Sequence, residues 1–372
     1  MAKKLLAMIL GMCWLTAGLS ATATAEELSN YELTQKVKEL EGRQGSASAG
    51  SAWMDRLFFS GVLEAEAGYE NIDYNDPAKE DEDTSDVALA TMELGVDAAV
   101  NDYVSGHFLL LWEEGNTGNN GVDMDEGFIT LTGGANWPAY VNVGKMYVPF
   151  GNFETHMISD PLTLELGETR ESAIQAGLEM NGFYGSVYLF NGDVDEFDKD
   201  SHIDNYGANA GFVMESEKFS LDIGASYINN ITDADSWEGD SDDKIDDYVG
   251  GLGAHAIMNT GPFVFIAEYI TALDETELVD NRNGSALDTM EEISAWNAEF
   301  GYSFALAGKP ATAAVAYQGS DDGGDFLPET RFLGSIGVEV YDATTLALEY
   351  FHDESENNDE KDVITAQLAF EF

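Results

Sequence analysis

The C-terminal stretch Val363–Phe372, VITAQLAFEF, is the part of the sequence that decides the fold. Every second residue from Ile364 to Phe372 is apolar, and the residues between them are mostly polar. Successive side chains of a β-strand point to opposite faces, so this alternation predicts a strand with one apolar face and one mostly polar face. The strand ends with two aromatic residues on its apolar face, Phe370 and Phe372.

The same alternation recurs from Leu57 onward and predicts sixteen strands. They span roughly residues 57–70, 87–100, 103–113, 126–133, 139–148, 172–180, 183–190, 204–214, 219–228, 248–258, 263–271, 294–306, 311–318, 332–340, 345–352 and 362–372. In the strand 294–306, for example, Trp296 and Phe300 share an apolar face opposite a mostly polar one. In the segment 139–148 the pattern leaves open which face is apolar.

The predicted connections between strands alternate between long and short. The long, acidic connections are 71–86, 114–125, 149–171, 191–203, 229–247, 272–293, 319–331 and 353–361. The short connections carry turn residues, as at Asn101-Asp102 and Asn181-Gly182. Transmembrane β-barrels have long loops at one end, short turns at the other and an even number of strands. The sequence therefore predicts an all-β fold, a transmembrane antiparallel β-barrel of about sixteen strands around a water-filled lumen.

The composition excludes several classes of protein. The 372 residues include 70 acidic and 16 basic side chains, a formal charge of −54, which repels nucleic acid. No apolar run after residue 25 approaches the length of a membrane-spanning helix. The five histidines lack the paired spacing of a metal site, and no triad pattern occurs. We therefore expect no nucleic-acid partner, no metal, no cofactor and no enzymatic activity.

The first residues divide into two predicted segments before the barrel domain at 53–372. Residues 1–25 read as a secretory signal peptide cleaved after Ala25, with a charged start, an apolar stretch and small residues at the cleavage site. Residues 26–52 read as a short periplasmic helix followed by a small-residue linker. This segment could help the barrel form a homotrimer, contact peptidoglycan, or extend into the periplasm as a frayed end.

Carboxylates predominate on the polar faces of the predicted strands, which would face the lumen. They are Glu64, Glu66, Glu93, Asp97, Glu179, Asp222, Glu299, Glu339, Glu349 and Glu371. Carboxylates that face a water-filled pore enrich cations and repel small anions. The plainer interpretation is that they only keep the interior hydrated.

The connection 149–171 differs from the other long connections because it is rich in apolar residues and less acidic. Its apolar side chains include Phe150, Phe153, Met157, Leu162, Leu164 and Leu166. A loop exposed to bulk water has little reason to carry so many. If the loop folds into the lumen, its charged residues form a pore constriction: Glu154, Asp160, Glu165, Glu168 and Arg170. The alternative is a loop packed over the rim or at a subunit contact.

Three dense acidic clusters lie in the other long connections, at Glu80–Asp83, Asp193–Asp200 and 240–247. None has the calcium-loop pattern of alternating Asp or Asn, a glycine and a distant Glu. A solvated surface adapted to saline surroundings is the favoured interpretation. The alternatives are weak divalent binding and cation bridges to lipopolysaccharide phosphates.

One segment resembles a known family. GKMYVPFGNFETH at Gly144–His156, followed by Ser159-Asp160-Pro161 and LTLELGETR at 162–170, resembles the LbtU-type siderophore porins. The resemblance implies a sixteen-stranded barrel in the Gram-negative outer membrane that takes up ferric siderophores without the TonB system. Outer-membrane barrels are similar at the C-terminus too, where their assembly machinery reads a last strand with a final aromatic, here Phe370 and Phe372.

These observations predict an outer-membrane channel for passive uptake of small solutes, with ferric siderophores as the expected substrate. Its expected partners are outer-membrane lipid, lipopolysaccharide, the barrel assembly machinery and the solute itself. Two alternatives stay open. The first is a general diffusion porin that prefers cations, and the second is a structural barrel that anchors the envelope through its N-terminal helix.

Overall fold

The computed structural model of the protein describes residues 54–114, 121–134, 137–237, 243–280, 284, 286–324 and 326–372. The predicted signal peptide and the predicted periplasmic helix lie outside these residues, so both stay predictions. Within the described ranges, no helix has both the length and the apolar character needed to cross a membrane.

Sixteen antiparallel strands close into one barrel. They are β1 Leu57–Asp73, β2 Glu82–Asn101, β3 Val104–Glu113, β4 Asp123–Thr132, β5 Ala139–Tyr147, β6 Arg170–Met180, β7 Phe183–Phe190, β8 Asn205–Ser216, β9 Phe219–Ile228, β11 Gly251–Thr260, β12 Phe263–Ala272, β15 Ser294–Leu306, β16 Lys309–Asp321, β17 Thr330–Tyr341, β18 Thr344–Glu354 and β19 Glu360–Glu371. Each strand pairs with the next barrel strand along the chain, and β19 pairs with β1 to close the ring. The predicted sixteen-stranded antiparallel barrel is confirmed.

Three short strands stand outside the barrel. β10 Asp243–Ile245, β13 Thr276–Asp280 and β14 Ala286–Met290 form a separate sheet in the order β10-β13-β14. The sequence prediction treated the connections that contain them as loops only. A strand of three to five residues offers too few alternations to be recognised from sequence, so tertiary pairing decides its structure.

Exposure alternates along the barrel strands, and the exposed side chains are mostly apolar. In β6, Ile174 and Leu178 are each 48% exposed, whereas Gln175 between them is 8% exposed. The outer face of the barrel is therefore apolar, and part of the inner face is polar. In β5, where the sequence left the faces open, Val143 is exposed and Asn142 is buried, so the asparagine side chain faces inward.

Two-residue turns join strands at one end of the barrel, as the dipeptide Asn181-Gly182 predicts. Both of these residues have positive φ, 56° and 84°, which suits a tight hairpin turn between β6 and β7. Ala307 and Gly308 repeat this arrangement between β15 and β16, with φ of 54° and 87°. The long connections, including 149–171, lie at the opposite end.

A hydrophobic cluster occupies part of the barrel interior on the side of β6 to β12. The 149–171 connection, which we call the inner loop, contributes Phe150, Leu162 and Leu166, each no more than 1% exposed. The wall contributes a set of inward side chains: Tyr188, Phe190, Ile228 and Ile270. Leu162 and Leu166 lie on α1, a short helix at Leu162–Gly167. Packing of α1 on this wall fixes the position of the inner loop.

Candidate functional site

Three carboxylates of the barrel wall hold the inner loop by its backbone. The first is Glu268 of β12, which accepts hydrogen bonds from the backbone N–H of Asn152 at 2.6 Å and of Phe153 at 3.1 Å. The Thr163 hydroxyl donates a third bond to Glu268 at 2.8 Å. Glu268 is 5% exposed, so its charge is taken up by these donors rather than by bulk water.

Glu299 of β15 is the second wall carboxylate that holds the inner loop. It accepts hydrogen bonds from the His156 backbone N–H at 2.9 Å and from the Thr155 hydroxyl at 2.7 Å. The His156 ring places Nδ1 2.8 Å from the same carboxylate. This carboxylate, with nearby Glu154, raises the pKa of His156 and favours a charged imidazole.

Glu349 of β18 is the third wall carboxylate that holds the inner loop. The backbone N–H groups of Ile158 and Ser159 donate to it at 2.5 and 3.0 Å. The Ser159 hydroxyl donates a further bond at 2.5 Å. Glu349 is 1% exposed. Such charge-assisted bonds to paired N–H groups satisfy the backbone of a segment that has no strand partner.

The inner loop lies inside the lumen and not on the rim. It contacts inward side chains from strands spread around the wall, since Gly151 N–H also donates to Ser226 of β9 at 3.0 Å and Leu162 N–H to Gln318 of β16 at 3.2 Å. One loop reaches β9, β12, β15, β16 and β18 together only from within the barrel.

The five residues of the predicted constriction occupy three kinds of position. Glu154 and Asp160 are exposed inside the lumen, and Glu165 and Glu168 are half-buried. Arg170 is instead held at the wall, where its guanidinium forms an ion pair with Asp125 and lies 3.7 Å from Asp235. The first four therefore share the loop side of the lumen, whereas the arginine is already paired with carboxylates.

Asp160 faces further negative charge across the lumen. Reduced hydration inside the lumen and the nearby carboxylates of Glu165, Glu113 and Glu64 raise its pKa to about 6, against the opposing effect of Arg331. Glu64 belongs to β1 and Glu113 to β3. The loop and this part of the wall therefore present like charges to the same stretch of lumen.

The carboxyl of Glu168 lies among other carboxyls. Reduced hydration raises its pKa to about 8, with further contributions from Asp235, Asp160 and Asp125, while Arg170 lowers it. At neutral pH this carboxyl is mostly protonated. It therefore differs from Asp160, which is mostly ionised at neutral pH.

The strand register places the predicted lumen carboxylates of β1 and β2 on the inward face. Residues directly opposite in an antiparallel pair share a face. Glu349 lies opposite Thr365, and Thr365 opposite Gly68, so Glu64 and Glu66 face inward as well. Glu93 lies opposite Val62, which is on the same face as Glu64, so Glu93 faces inward too. Glu66 accepts a hydrogen bond from Gln367 at 2.9 Å.

The remaining predicted lumen carboxylates differ in what they contact. Asp97 lies 2.8 Å from Nδ1 of His107, and Asp222 accepts a bond from Tyr184 at 3.0 Å. Glu179 lies opposite Tyr184 in the β6–β7 pair. Glu339 is 4% exposed, and neither of its carboxylate oxygens has a partner among the described residues.

Two residues change role relative to the sequence interpretation. Glu299 and Glu349 were expected to line open water, but both bind the inner loop and are buried. Sequence reasoning missed Glu268, which has the same role. It could have been found as the one acidic residue on the inward face of β12, among Val264, Ile266 and Ile270.

Arg331 of β17 is the other residue that the sequence did not single out. Its guanidinium pairs with both oxygens of Asp353, at 2.7 and 2.9 Å, and Nη1 donates to the Asp160 carbonyl at 3.4 Å. It therefore anchors the inner loop next to the Glu349 contact. The sequence around a single arginine at a strand end does not predict such a contact.

The predicted assembly signal lies where the barrel closes. Phe370 and Phe372 are exposed on the outward face, with ring centroids 5.9 Å apart. Phe372 and Gly61 exchange both backbone hydrogen bonds, each 3.1 Å long. Within the described residues, no group of three His, Cys, Asp or Glu side chains is arranged to hold a metal ion.

A closed sixteen-stranded barrel with a loop folded into its lumen defines a porin-like fold. The outer membrane channel DcaP of Acinetobacter baumannii has a similar structure, with a TM-score of 0.56, 16% identity and coverage of 85% of this chain and 97% of DcaP. OmpF of Salmonella typhi, solved with daunomycin, gives a TM-score of 0.57 at 11% identity, with coverage of 85% and 97%. At these identities the likeness shows the fold alone.

Similar sequences occur among curated proteins, although no family model matches this chain. A UPF0422 protein of Coxiella burnetii is 29% identical over 311 residues, which cover 81% of this chain and 64% of that protein. The UPF0422 protein lpl2888 of Legionella pneumophila strain Lens is 23% identical over 308 residues, with coverage of 75% and 56%. The chain thus spans less than two thirds of the length of these relatives.

Proposed function

We propose that this protein is a passive diffusion channel of the Gram-negative outer membrane that prefers cations. The observation that carries the proposal is the position of Asp160. It is an exposed residue of the inner loop, close enough to Glu64 and Glu113 of the wall for their charges to act on it. A solute that passes this stretch meets carboxylates on both sides.

The basic side chains near this stretch do not offset its charge. Arg170 pairs with Asp125, and Arg331 pairs with Asp353. Each arginine is thus neutralised by a wall carboxylate, and the net field of the stretch stays negative. Such a field concentrates cations and excludes small anions without any conformational change.

The outer face of the barrel supports a location in lipid. Its exposed side chains are largely apolar, and aromatic rings cluster near the short-turn end, as with Phe263, Phe300 and Tyr302. Aromatic girdles at the membrane interface are typical of transmembrane barrels. Phe370 and Phe372 would then serve as the signal that the barrel assembly machinery reads.

Uptake of ferric siderophores is the second candidate. It is favoured by the segment that resembles the siderophore porins, because Gly144–Arg170 includes nearly the whole inner loop. Charge limits the substrate class, since an anionic siderophore would be repelled by Asp160 and Glu64. A neutral or cationic ferric complex would not be repelled.

Planar-bilayer recording on the purified protein tests both candidates. A reversal potential that indicates cation preference in a KCl gradient, reduced in Asp160→Asn, would support the diffusion channel. An anion preference would contradict it. Concentration-dependent block by one cationic ferric siderophore at micromolar levels would support the second candidate, and indifference to siderophores of both charges would exclude it.

The remaining expectations are proposals of the same kind. They comprise cleavage after Ala25, a periplasmic segment at 26–52, contact with lipopolysaccharide, a homotrimer and the absence of enzymatic activity. N-terminal sequencing of the exported protein tests the cleavage site. Light scattering of the detergent-solubilised protein tests the assembly.

A further inference from the structure

A buried polar cluster lies at the long-loop end of β6 to β9. Asp233 is 1% exposed and Glu171 is 7% exposed. Asp233 belongs to a short turn after β9. Glu171 is the second residue of β6, and its carboxyl is close enough to that of Asp233 for the two charges to interact. No ion pair joins either carboxylate to a basic side chain within the described residues. Lys199 and Lys244 of the neighbouring loops pair with Glu196 and Asp195 instead.

Asn205, the first residue of β8, points its side chain into this cluster. It is 1% exposed, and neither its amide nitrogen nor its amide oxygen has a hydrogen-bond partner among the described residues. A Cβ added to Gly192 would collide with both the Asn205 amide and the Asp233 carboxylate. The two head groups therefore converge over the same glycine.

Burial makes this arrangement incomplete as it stands. A buried carboxylate needs hydrogen-bond donors or a compensating charge, and a buried amide needs hydrogen bonds. The Asp233 carboxylate accepts hydrogen bonds from Val194 N–H and from Asn230 Nδ2, both at 2.9 Å. Glu171 accepts one hydrogen bond, from the Ser172 N–H at 3.3 Å, and both polar side-chain atoms of Asn205 lack a partner among the described residues. A water molecule could bond the amide, whereas a bound cation would bond the amide and also balance the two carboxylates.

We propose that Asp233, Asn205 and Glu171 bind a calcium ion. All of their available donor atoms are oxygens, once the Asn205 amide turns its oxygen inward, and hard divalent cations prefer oxygen. Calcium accepts irregular sets of six to eight oxygens, whereas magnesium demands a near-ideal octahedron and keeps much of its water. Two carboxylates alone fall short of a metal centre, and the amide supplies the third side chain.

Such an ion would tie together three parts of the barrel mouth. Glu171 is the second residue of β6, Asn205 opens β8 and Asp233 follows β9. The turn that holds Asp233 also supports the inner loop, because Asp235 N–H donates to the Glu168 carbonyl at 2.8 Å. The calcium ion would therefore stabilise the wall on which the inner loop packs.

Calorimetric titration of calcium into the chelator-treated, full-length protein in detergent micelles tests the proposal, together with thermal unfolding. We expect one saturable site and a rise in the unfolding temperature with calcium that magnesium does not reproduce. In Asp233→Asn and in Asn205→Ala, the affinity should fall by on the order of tenfold or more.

The matched control is Asp198→Asn, which removes one exposed carboxylate from the same connection as Gly192. Asp198 has φ of 61°, a conformation that asparagine tolerates well. This variant should bind calcium as the unmodified protein does. Equal loss in all three variants, or no saturable site in the unmodified protein, would overturn the proposal and leave only a diffuse ion atmosphere around an acidic surface. Because Asn205→Ala keeps every charge, its result stands even if Asp233→Asn does not fold.

Discussion

Ser159 donates two hydrogen bonds to Glu349, from its backbone nitrogen at 3.0 Å and from its hydroxyl at 2.5 Å. In Glu349→Gln the acceptor loses its charge and presents an NH2 group to donors. A hydrogen bond to a charged group is worth about 2 kcal/mol, so displacement of the inner loop should become on the order of 30-fold more frequent. Single-channel recording would show this as more frequent current fluctuations.

Glu354→Gln is the matched control for this prediction. Glu354 lies on the same strand, is exposed and is directed away from the inner loop contacts given above. Current fluctuations in this variant should be as infrequent as in the unmodified protein. An equal frequency of current fluctuations in the unmodified protein, Glu349→Gln and Glu354→Gln would mean that the Glu349 contact does not restrain the loop.

Cation preference should fall as the pH decreases through about 6. Asp160 has its pKa raised to about 6, so it is charged at pH 7 and neutral at pH 5. The groups that face it are Glu165, Glu113, Glu64 and Arg331. One charge about 6 Å from a permeating ion in water changes its energy by about 0.7 kcal/mol, roughly a threefold effect. Reversal potentials between pH 5 and 7 measure this step, and Asp160→Asn should abolish it.

Glu168 should contribute at alkaline pH and hardly at all at neutral pH. Its pKa of about 8, set by reduced hydration and by Asp235, Asp160 and Asp125 against Arg170, leaves it mostly protonated at pH 7. Glu168→Gln should therefore leave selectivity unchanged at pH 7 and reduce it at pH 9. Glu165→Gln serves as the comparison on the same loop. A large effect of Glu168→Gln at pH 7 would contradict this assignment.

Gly61→Val should impair closure of the barrel. A Cβ at Gly61 would lie 2.6 Å from two atoms of the Phe372 ring, so the ring must move away from the β1–β19 seam. Overpacking of this kind costs about 1–3 kcal/mol. The yield of heat-modifiable folded barrel on gels measures the effect. Gly68→Val is the control, because an added Cβ there meets nothing within 4 Å, and equal yields would show that the contact at the seam does not matter.

Most of the barrel was predictable because its pattern is local. Alternation identifies a strand from a few neighbouring residues, and in β6, Ile174 and Leu178 face outward as their positions in the pattern require. Tight turns such as Asn181-Gly182 are also set by local backbone preference. The short strands β10, β13 and β14 were missed because three to five residues offer too few alternations to be recognised.

The candidate site was predictable only in part. The apolar residues of the inner loop indicated that it needs a partner, but they did not indicate which wall it would contact. The roles of Glu268, Glu299 and Glu349 depend on that wall. The alternating strand pattern assigns these carboxylates to the inward face, together with Glu64 and Glu66. It does not distinguish carboxylates that bind the loop from carboxylates that face water.

The sequence by itself determined the number of barrel strands and, outside β5, the face on which most side chains lie, because both follow from the period of a single strand. The tertiary structure decided which inward carboxylates meet the loop and which meet water, since Ile158 and Glu349 are 191 positions apart and come together only when the barrel has closed. The same closure brings the side chains of Asn205 and Asp233 together over Gly192, with Glu171 close enough for its charge to interact with that of Asp233. Contacts between distant residues depend on the register of every strand between them, and no local pattern records that.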